Sequence, residues 1–285
     1  MSEIKHVTVI GAGTMGHGIA HVAAAAGFEV ALYDVDAGLI DRGIASVREN
    51  LDKGVARGKV TANRRDSTMA AIRGVPDLVD AASGADLVIE AVPEKIDLKR
   101  QIFARLHELT PLQAILASNT SSLSIGALAA ATDRPGQVVG MHFFNPVHLM
   151  PLLEVVRSDK TTDEVVGTAV EIGRRVGKEP IVVRDVPGFA TSRLGIVLGL
   201  EAMRMLEDGV ASVEDIDKAM TLGYRHPMGP LRLTDLVGLD VRLAISEHLH
   251  HELGSDAFRP PEILRRMVGD GKLGKKTGRG FYSWG

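Results

Sequence analysis

Short apolar runs separated by amphipathic stretches fill the first two-thirds of the chain. Val7–Ile10, Glu29–Tyr33, Leu87–Glu90, Ala114–Ala117 and Val138–His142 read as strands. They do not alternate strictly between apolar and polar positions, which is the pattern of parallel strands covered on both faces. Between them Thr14–Ala26, Ala37–Lys53 and Leu98–Leu109 read as helices, and Leu152–Val156 and Ile181–Arg184 as further strands flanking a helix over Thr162–Val176. Strand and helix in alternation predict an α/β, doubly wound sheet.

The pattern changes at Asp185-Val186-Pro187-Gly188, where proline and glycine punctuate the chain. Beyond it the periodicity is helical, over Thr191–Glu207, Val213–Leu222, Leu233–Leu253 and Pro261–Val268. Ser212 followed by Asp215 has the spacing of a capping box, with Asp in place of Glu. The expected organisation is a nucleotide-binding α/β domain over 1–186 and an all-helical second domain over 187–285. Lys272 to Gly280, rich in Gly, Lys and Arg, reads as an exposed tail.

Composition narrows the class of function. With 45% hydrophobic residues the 285-residue chain has material for real cores, and at a net charge of −3 it has no basic field to draw nucleic acid. There is no cysteine, which excludes disulfides and Cys-ligated metals and fits a reducing compartment. The His248, His250 and His251 cluster lacks the spacing of helical metal ligands and reads as a solvated helix surface, so no metal is expected. A β-type run begins at His6 and leaves no room for a signal peptide, and no apolar run approaches the roughly 18–20 residues of a membrane span. A cytoplasmic protein with no membrane partner is the expectation.

The chemistry begins at Gly11-Ala12-Gly13-Thr14-Met15-Gly16, which follows the first strand and opens the first helix. The first glycine permits the tight turn, the second lets the backbone approach a pyrophosphate, and the third lets helix and strand pack closely; the helix N-terminus faces the negative charge. Asp34 ends the next strand, eighteen residues past Gly16. A carboxylate there accepts from ribose hydroxyls. With Asp36 nearby and no basic neighbour at 33 or 35, a 2′-phosphate would be repelled, so a Rossmann-type domain binding NAD rather than NADP is expected.

A second constellation lies at His142-Phe143-Phe144-Asn145-Pro146, with Glu154 twelve residues later. A histidine held in one tautomer by a carboxylate moves protons near neutral pH, because the carboxylate stabilises the imidazolium form. Oxidising an alcohol removes a hydride and a proton. A nicotinamide and His142 together would take one each.

These motifs, with Glu90-Ala91-Val92-Pro93-Glu94, Ser118-Asn119-Thr120-Ser121-Ser122-Leu123, Pro187-Gly188-Phe189 and Gly274-Lys275-Lys276-Thr277-Gly278, occur in an order that resembles the L-3-hydroxyacyl-CoA dehydrogenases, of the short, single-function type. The resemblance covers essentially the whole chain. It implies an NAD-dependent oxidation of (S)-3-hydroxyacyl-CoA to 3-oxoacyl-CoA and the reverse, on a short chain such as 3-hydroxybutyryl-CoA, by a homodimer. By position it implies His142 as general base, Glu154 as its orienting carboxylate and Ser121 as a hydrogen-bond donor to the substrate oxygen. It places Asn145, Glu94, Lys99, Ser121 and Lys276 on the nicotinamide side, beside Gly11, Gly13, Thr14, Met15, Gly16 and Asp34. It puts the CoA arm near Asn50, Lys53 and Arg57, a looser match. Ser192 stands where the family has an asparagine that positions the substrate, so serine's single hydroxyl replaces an amide.

Blander readings exist for each group. Asp34 is also a turn residue after a strand, Glu90 a strand-end cap, and Glu94 with Lys99 a surface ion pair. Two other functions compete: oxidation of a free sugar acid such as gulonate, and a non-catalytic dinucleotide-binding protein like the lens crystallins recruited from this group. The retained His142 and Glu154 argue against the second.

Overall fold

The computed structural model describes residues 3–285. The chain divides into two compact units, the first ending at Asp185 and the second running Val186–Gly285.

Among the described residues of the first unit, eight strands make one sheet: β1 His6–Ile10, β2 Glu29–Tyr33, β3 Ile72–Gly74, β4 Leu87–Glu90, β5 Ile115–Ser118, β6 Val138–Phe143, β7 Leu152–Arg157 and β8 Glu179–Arg184. Their order is β3-β2-β1-β4-β5-β6-β7-β8, parallel except where β6 meets β7. The chain runs outward from β1 to β2 and β3, then crosses back past β1 to β4, so the strand order reverses beside β1. That is the crevice where open α/β sheets bind ligands. The helices packed on the sheet are α1 Thr14–Ala25, α2 Ala37–Ala56, α3 Ala62–Ala70, α4 Leu78–Ala82, α5 Ile96–Leu109, α6 Ile125–Ala129 and α7 Asp163–Arg175.

The strands are apolar throughout because both faces are covered. Val7, Val9, Leu87, Ile89, Ile115 and Leu116 are at most 2% exposed, and each such side chain stabilises the fold by about 1.5–3 kcal/mol. Side chains set the helix starts: Asp36 accepts from the Gly38 N–H, Thr61 from Arg64 and Thr162 from Val165. β3, α3, α4 and α6 are too short or too polar to have stood out as periodic segments. β8 is an edge strand, largely exposed.

The second unit is helical: α8 Thr191–Glu207, α9 Val213–Lys218, α10 Pro230–Val237, α11 Leu239–Leu253 and α12 Glu262–Gly269. Two expectations are corrected here. The single helix expected over 233–253 is broken at Gly238, whose φ of +104° no helix accommodates. The segment expected to continue to Leu222 turns π-helical over Ala219–Gly223. At α9, Ser212 accepts from the Asp215 N–H, and the shorter Asp215 carboxylate accepts from the Ser212 hydroxyl.

The C-terminal segment is exposed over Lys275–Arg279, as expected, but it is anchored rather than trailing as a tail. Lys275–Thr277 form a 3-10 turn, and Gly274 pairs with Arg279 and Arg279 with Ser283 in isolated bridges. Buried Asp235 draws it in, accepting from the Phe281 N–H (2.9 Å), the Tyr282 N–H (2.8 Å) and the Trp284 indole (2.8 Å).

Candidate active site

The fingerprint loop is built for close approach of a ligand backbone. Gly11 has φ +99°, and a Cβ there would lie 2.8 Å from the Ala91 carbonyl oxygen. A Cβ on Gly16 would collide with the Gly11 carbonyl, so the third glycine lets α1 start directly against β1. Gly13 is different: among the described residues, nothing comes within 4 Å of the place its Cβ would occupy. Gly13 is also the N-cap of α1 and supplies no side-chain cap, and no acidic residue sits in the first turn. An open, uncapped helix N-terminus carrying partial positive charge suits a pyrophosphate. Thr14 is exposed there. Met15 instead packs its side chain against the core, so any part it takes in the loop is through its backbone.

Asp34 does more than end β2. One carboxylate oxygen accepts from the Ala12 N–H and the other from its neighbour Val35, both at 2.8 Å. It ties the glycine loop to the adjacent strand while half-exposed. The turn reading and the ribose-reading role are therefore compatible, since each oxygen has a second lone pair. Asp36, read as extra negative charge, is a helix cap.

His142 and Glu154 are direct partners across the antiparallel β6–β7 pair. His142 Nδ1 lies 2.7 Å from Glu154 Oε2; the histidine is 7% exposed and the glutamate fully buried. Because a carboxylate only accepts, Nδ1 carries the proton, and any further proton exchange of the ring falls to Nε2. Phe144 packs against the ring, its centroid 4.4 Å away. Asn119 accepts from the Phe143 N–H at 2.8 Å, holding the strand end where His142 sits.

A third cluster organises the β4 and β5 ends. Lys99 is 1% exposed and Glu90 fully buried, and the ammonium sits 2.7 and 3.0 Å from the two Glu90 oxygens. Glu90 also accepts from Ser118 Oγ and the Val92 N–H, each at 2.7 Å. Lys99 reaches Glu94 at 3.2 Å. Glu94 accepts in turn from the Thr120 hydroxyl (2.5 Å) and the Ser121 N–H (2.9 Å). Burial pushes the Glu94 carboxyl upward, but Lys99 and these hydrogen bonds outweigh it and hold it below the usual carboxylate range. The surface ion pair considered for Glu94 and Lys99 is thus corrected: the lysine is internal, its ammonium held between the carboxylates of Glu90 and Glu94. Ser118, Asn119 and Thr120 received no role from sequence, and Glu90 only that of a strand-end cap. The signal was the acidic strand end followed by the Ser-Asn-Thr-Ser-Ser run.

Asn50, Lys53 and Arg57 lie together along α2 and its end, in the wall of a cavity of about 570 Å³ whose other side includes Thr14 and Asn145. Lys276 and Ser192 belong to the helical unit. Lys276 pairs with Asp240 and Ser192 occupies the first turn of α8. Among the described residues no group of three or more His, Asp or Glu is placed to hold a metal ion. No helix there is long and apolar enough to cross a membrane.

An open glycine-rich helix start beside a strand-end carboxylate, with a carboxylate-held histidine on the same sheet, defines an NAD-dependent oxidoreductase. Residues 6–186 match the profile described as 3-hydroxyacyl-CoA dehydrogenase, NAD binding domain, and residues 188–284 match that family's C-terminal domain. The chain belongs to the 3-hydroxyacyl-CoA dehydrogenase family. It is 46% identical to the 3-hydroxybutyryl-CoA dehydrogenase of Bradyrhizobium diazoefficiens, covering 99% of this chain and 96% of that one. It is 43% identical to a probable 3-hydroxybutyryl-CoA dehydrogenase of Bacillus subtilis, covering 99% and 98%. The crystal structure of (S)-3-hydroxybutyryl-CoA dehydrogenase from Ralstonia eutropha superposes with a TM-score of 0.96 at 41% identity, covering 99% of this chain and all of that one.

Proposed function

We propose that the protein interconverts (S)-3-hydroxybutyryl-CoA and acetoacetyl-CoA with NAD, and that His142 is its acid–base residue. The His142–Glu154 contact at 2.7 Å carries this reading. Bound NAD supplies the hydride acceptor. In oxidation, His142 Nε2 takes the proton from the C3 hydroxyl, and Glu154 stabilises the imidazolium that forms. In reduction the charged ring returns that proton to the carbonyl oxygen. Ser121 donates to the same oxygen where charge develops. Glu94 and Asn145 face the cofactor, with Lys99 acting through Glu94, which it holds charged. Ser192 is assigned to substrate positioning and Lys276 to cofactor binding, each by its place in the family's motifs.

The CoA arm is assigned to the cavity bordered by Asn50, Lys53 and Arg57, where the lysine and arginine suit its phosphates. A homodimer is assigned to the helical unit, supported by the part-exposed apolar Leu233, Leu236, Val237 and Val241, which line neighbouring turns of α10 and α11. We place the enzyme in the cytoplasm.

Initial rates test the assignment: acetoacetyl-CoA with NADH is turned over rapidly and gulonate with NAD is not. The reverse preference overturns it. A series of 3-oxoacyl-CoA chain lengths fixes the acyl preference, and sedimentation fixes the dimer.

A further inference from the structure

The wall of the 570 Å³ cavity carries an unusual set of side chains. Three are histidines, His17, His21 and His148. Three are cations, Lys53, Arg57 and Lys59. Among the described residues of that wall there is no carboxylate.

The histidines are held in place. His21 and His148 stack with ring centroids 5.4 Å apart. The His148 loop is pinned by buried Lys178, whose ammonium donates to the Val147 and Met150 carbonyls. Val147 packs so closely on α1 that a Cβ on Gly18 would lie 2.8 Å from it. His17 donates from Nδ1 to the Gly13 carbonyl at 2.9 Å, so its Nε2 is the nitrogen that takes a further proton. His21 is 8% exposed, and its Nδ1 has no hydrogen-bond partner.

Resting on the CoA assignment above, we propose that His17 and His148, backed by His21, bind the phosphate-bearing part of the substrate and take up protons as it binds. The charged groups around them explain why. His21 faces His17 on its own helix, His148 on the loop after β6 and Lys178 ahead of β8. His148 faces His17 and Lys178. Lys53, Arg57 and Lys59 add charge from α2 and the turn beyond it. Lys53 is paired at 2.6 Å with Glu49, which is outside the wall. Burial and these like charges hold His21 and His148 below the ordinary imidazole value in the free protein. A phosphate entering the cavity reverses the local field and favours the charged rings.

Calorimetric titration with 3′,5′-ADP, the phosphate-bearing end of CoA without the thioester, tests this. At pH 7 the apparent binding enthalpy changes with the ionisation enthalpy of the buffer, with a slope showing net proton uptake. The Kd falls about threefold or more from pH 8 to pH 6.5, before the ligand phosphate itself titrates near about 6. The His17→Gln, His148→Gln double variant loses both effects. A flat pH series and buffer-independent heat in the wild type overturn the proposal, as does proton uptake that persists in the double variant. So does uptake seen with NADH rather than with 3′,5′-ADP, which would place the cofactor's phosphates in the cavity. Turnover of acetoacetyl-CoA in the same preparation separates the two readings: proton-coupled binding without turnover sinks the activity, and turnover without coupling sinks only the histidine assignment.

Discussion

His142 and Glu154 stand opposite one another on β6 and β7, with Nδ1 2.7 Å from Oε2. The antiparallel pairing is the exception in this sheet, and it turns a twelve-residue separation into a direct contact. Glu154 is fully buried, and the ring it orients is one of the groups that face its carboxylate. Replacing His142 by Ala should lower kcat by about 10²–10⁴-fold while NADH affinity stays nearly intact. Glu154→Gln should also reduce kcat strongly, because an amide does not compensate an imidazolium. Stopped-flow reduction of acetoacetyl-CoA and fluorescence titration with NADH check both; undiminished turnover in His142→Ala would remove the histidine from the mechanism.

Asp34 carries two duties, and its replacement should show both. Asp34→Arg should shift the ratio of kcat/KM for NADH over NADPH toward NADPH. Because the Ala12 N–H loses its partner, the gain with NADPH should be smaller than the loss with NADH. An unchanged ratio would leave Asp34 as a purely structural tie.

Lys99→Met should destabilise the α/β unit by about 3–5 kcal/mol, since it leaves Glu90 charged, buried and uncompensated. The double variant Lys99→Met, Glu90→Gln should recover a substantial part of that loss. Chemical denaturation compares them. Equal stability of the single variant and wild type would mean that the Glu90 charge is compensated from elsewhere. The same lysine holds Glu94 below the usual carboxylate range. That contribution is complete above the ordinary glutamate value and is lost as pH falls through the depressed one.

His21 should make the fold acid-sensitive. Burial, followed by His148, His17 and Lys178, lowers its pKa from 6.5 to about 4. As pH falls through 6.5 the unfolded chain takes up this proton and the folded chain does not. Stability is therefore complete above about 6.5 and declines toward pH 4, by about 3 kcal/mol in all. Unfolding midpoints at pH 7 and 4.5 should differ more in wild type than in His21→Gln. Identical slopes would show that the ring titrates normally.

Much of this molecule was readable along the chain. Seven of the eight strands described in the α/β unit, all but β3, and the start of α1 followed from apolar runs and from Gly11 to Gly16, because these depend on neighbours a few residues away. Asp34 was legible as a strand-end carboxylate, and the boundary near Pro187 as a change of periodicity. The Lys99 environment was not. Nothing near a lysine in a helical stretch says that Glu90, on the end of β4, and Glu94 beyond it will hold its ammonium inside the protein. The exposure of the C-terminal segment was legible in its Gly, Lys and Arg content, but its anchoring was not: Asp235, some forty-six residues earlier, gathers Phe281, Tyr282 and Trp284.

By itself the sequence determined the elements, the dinucleotide loop and the residue types available for proton transfer, since local propensity and hydrophobic period act over short spans. Only the tertiary structure decided that β7 runs against β6, that Lys99 is internal and that three histidines share one cavity wall. Those outcomes depend on strand order and on which side chains burial forces together, and no short-range pattern encodes either.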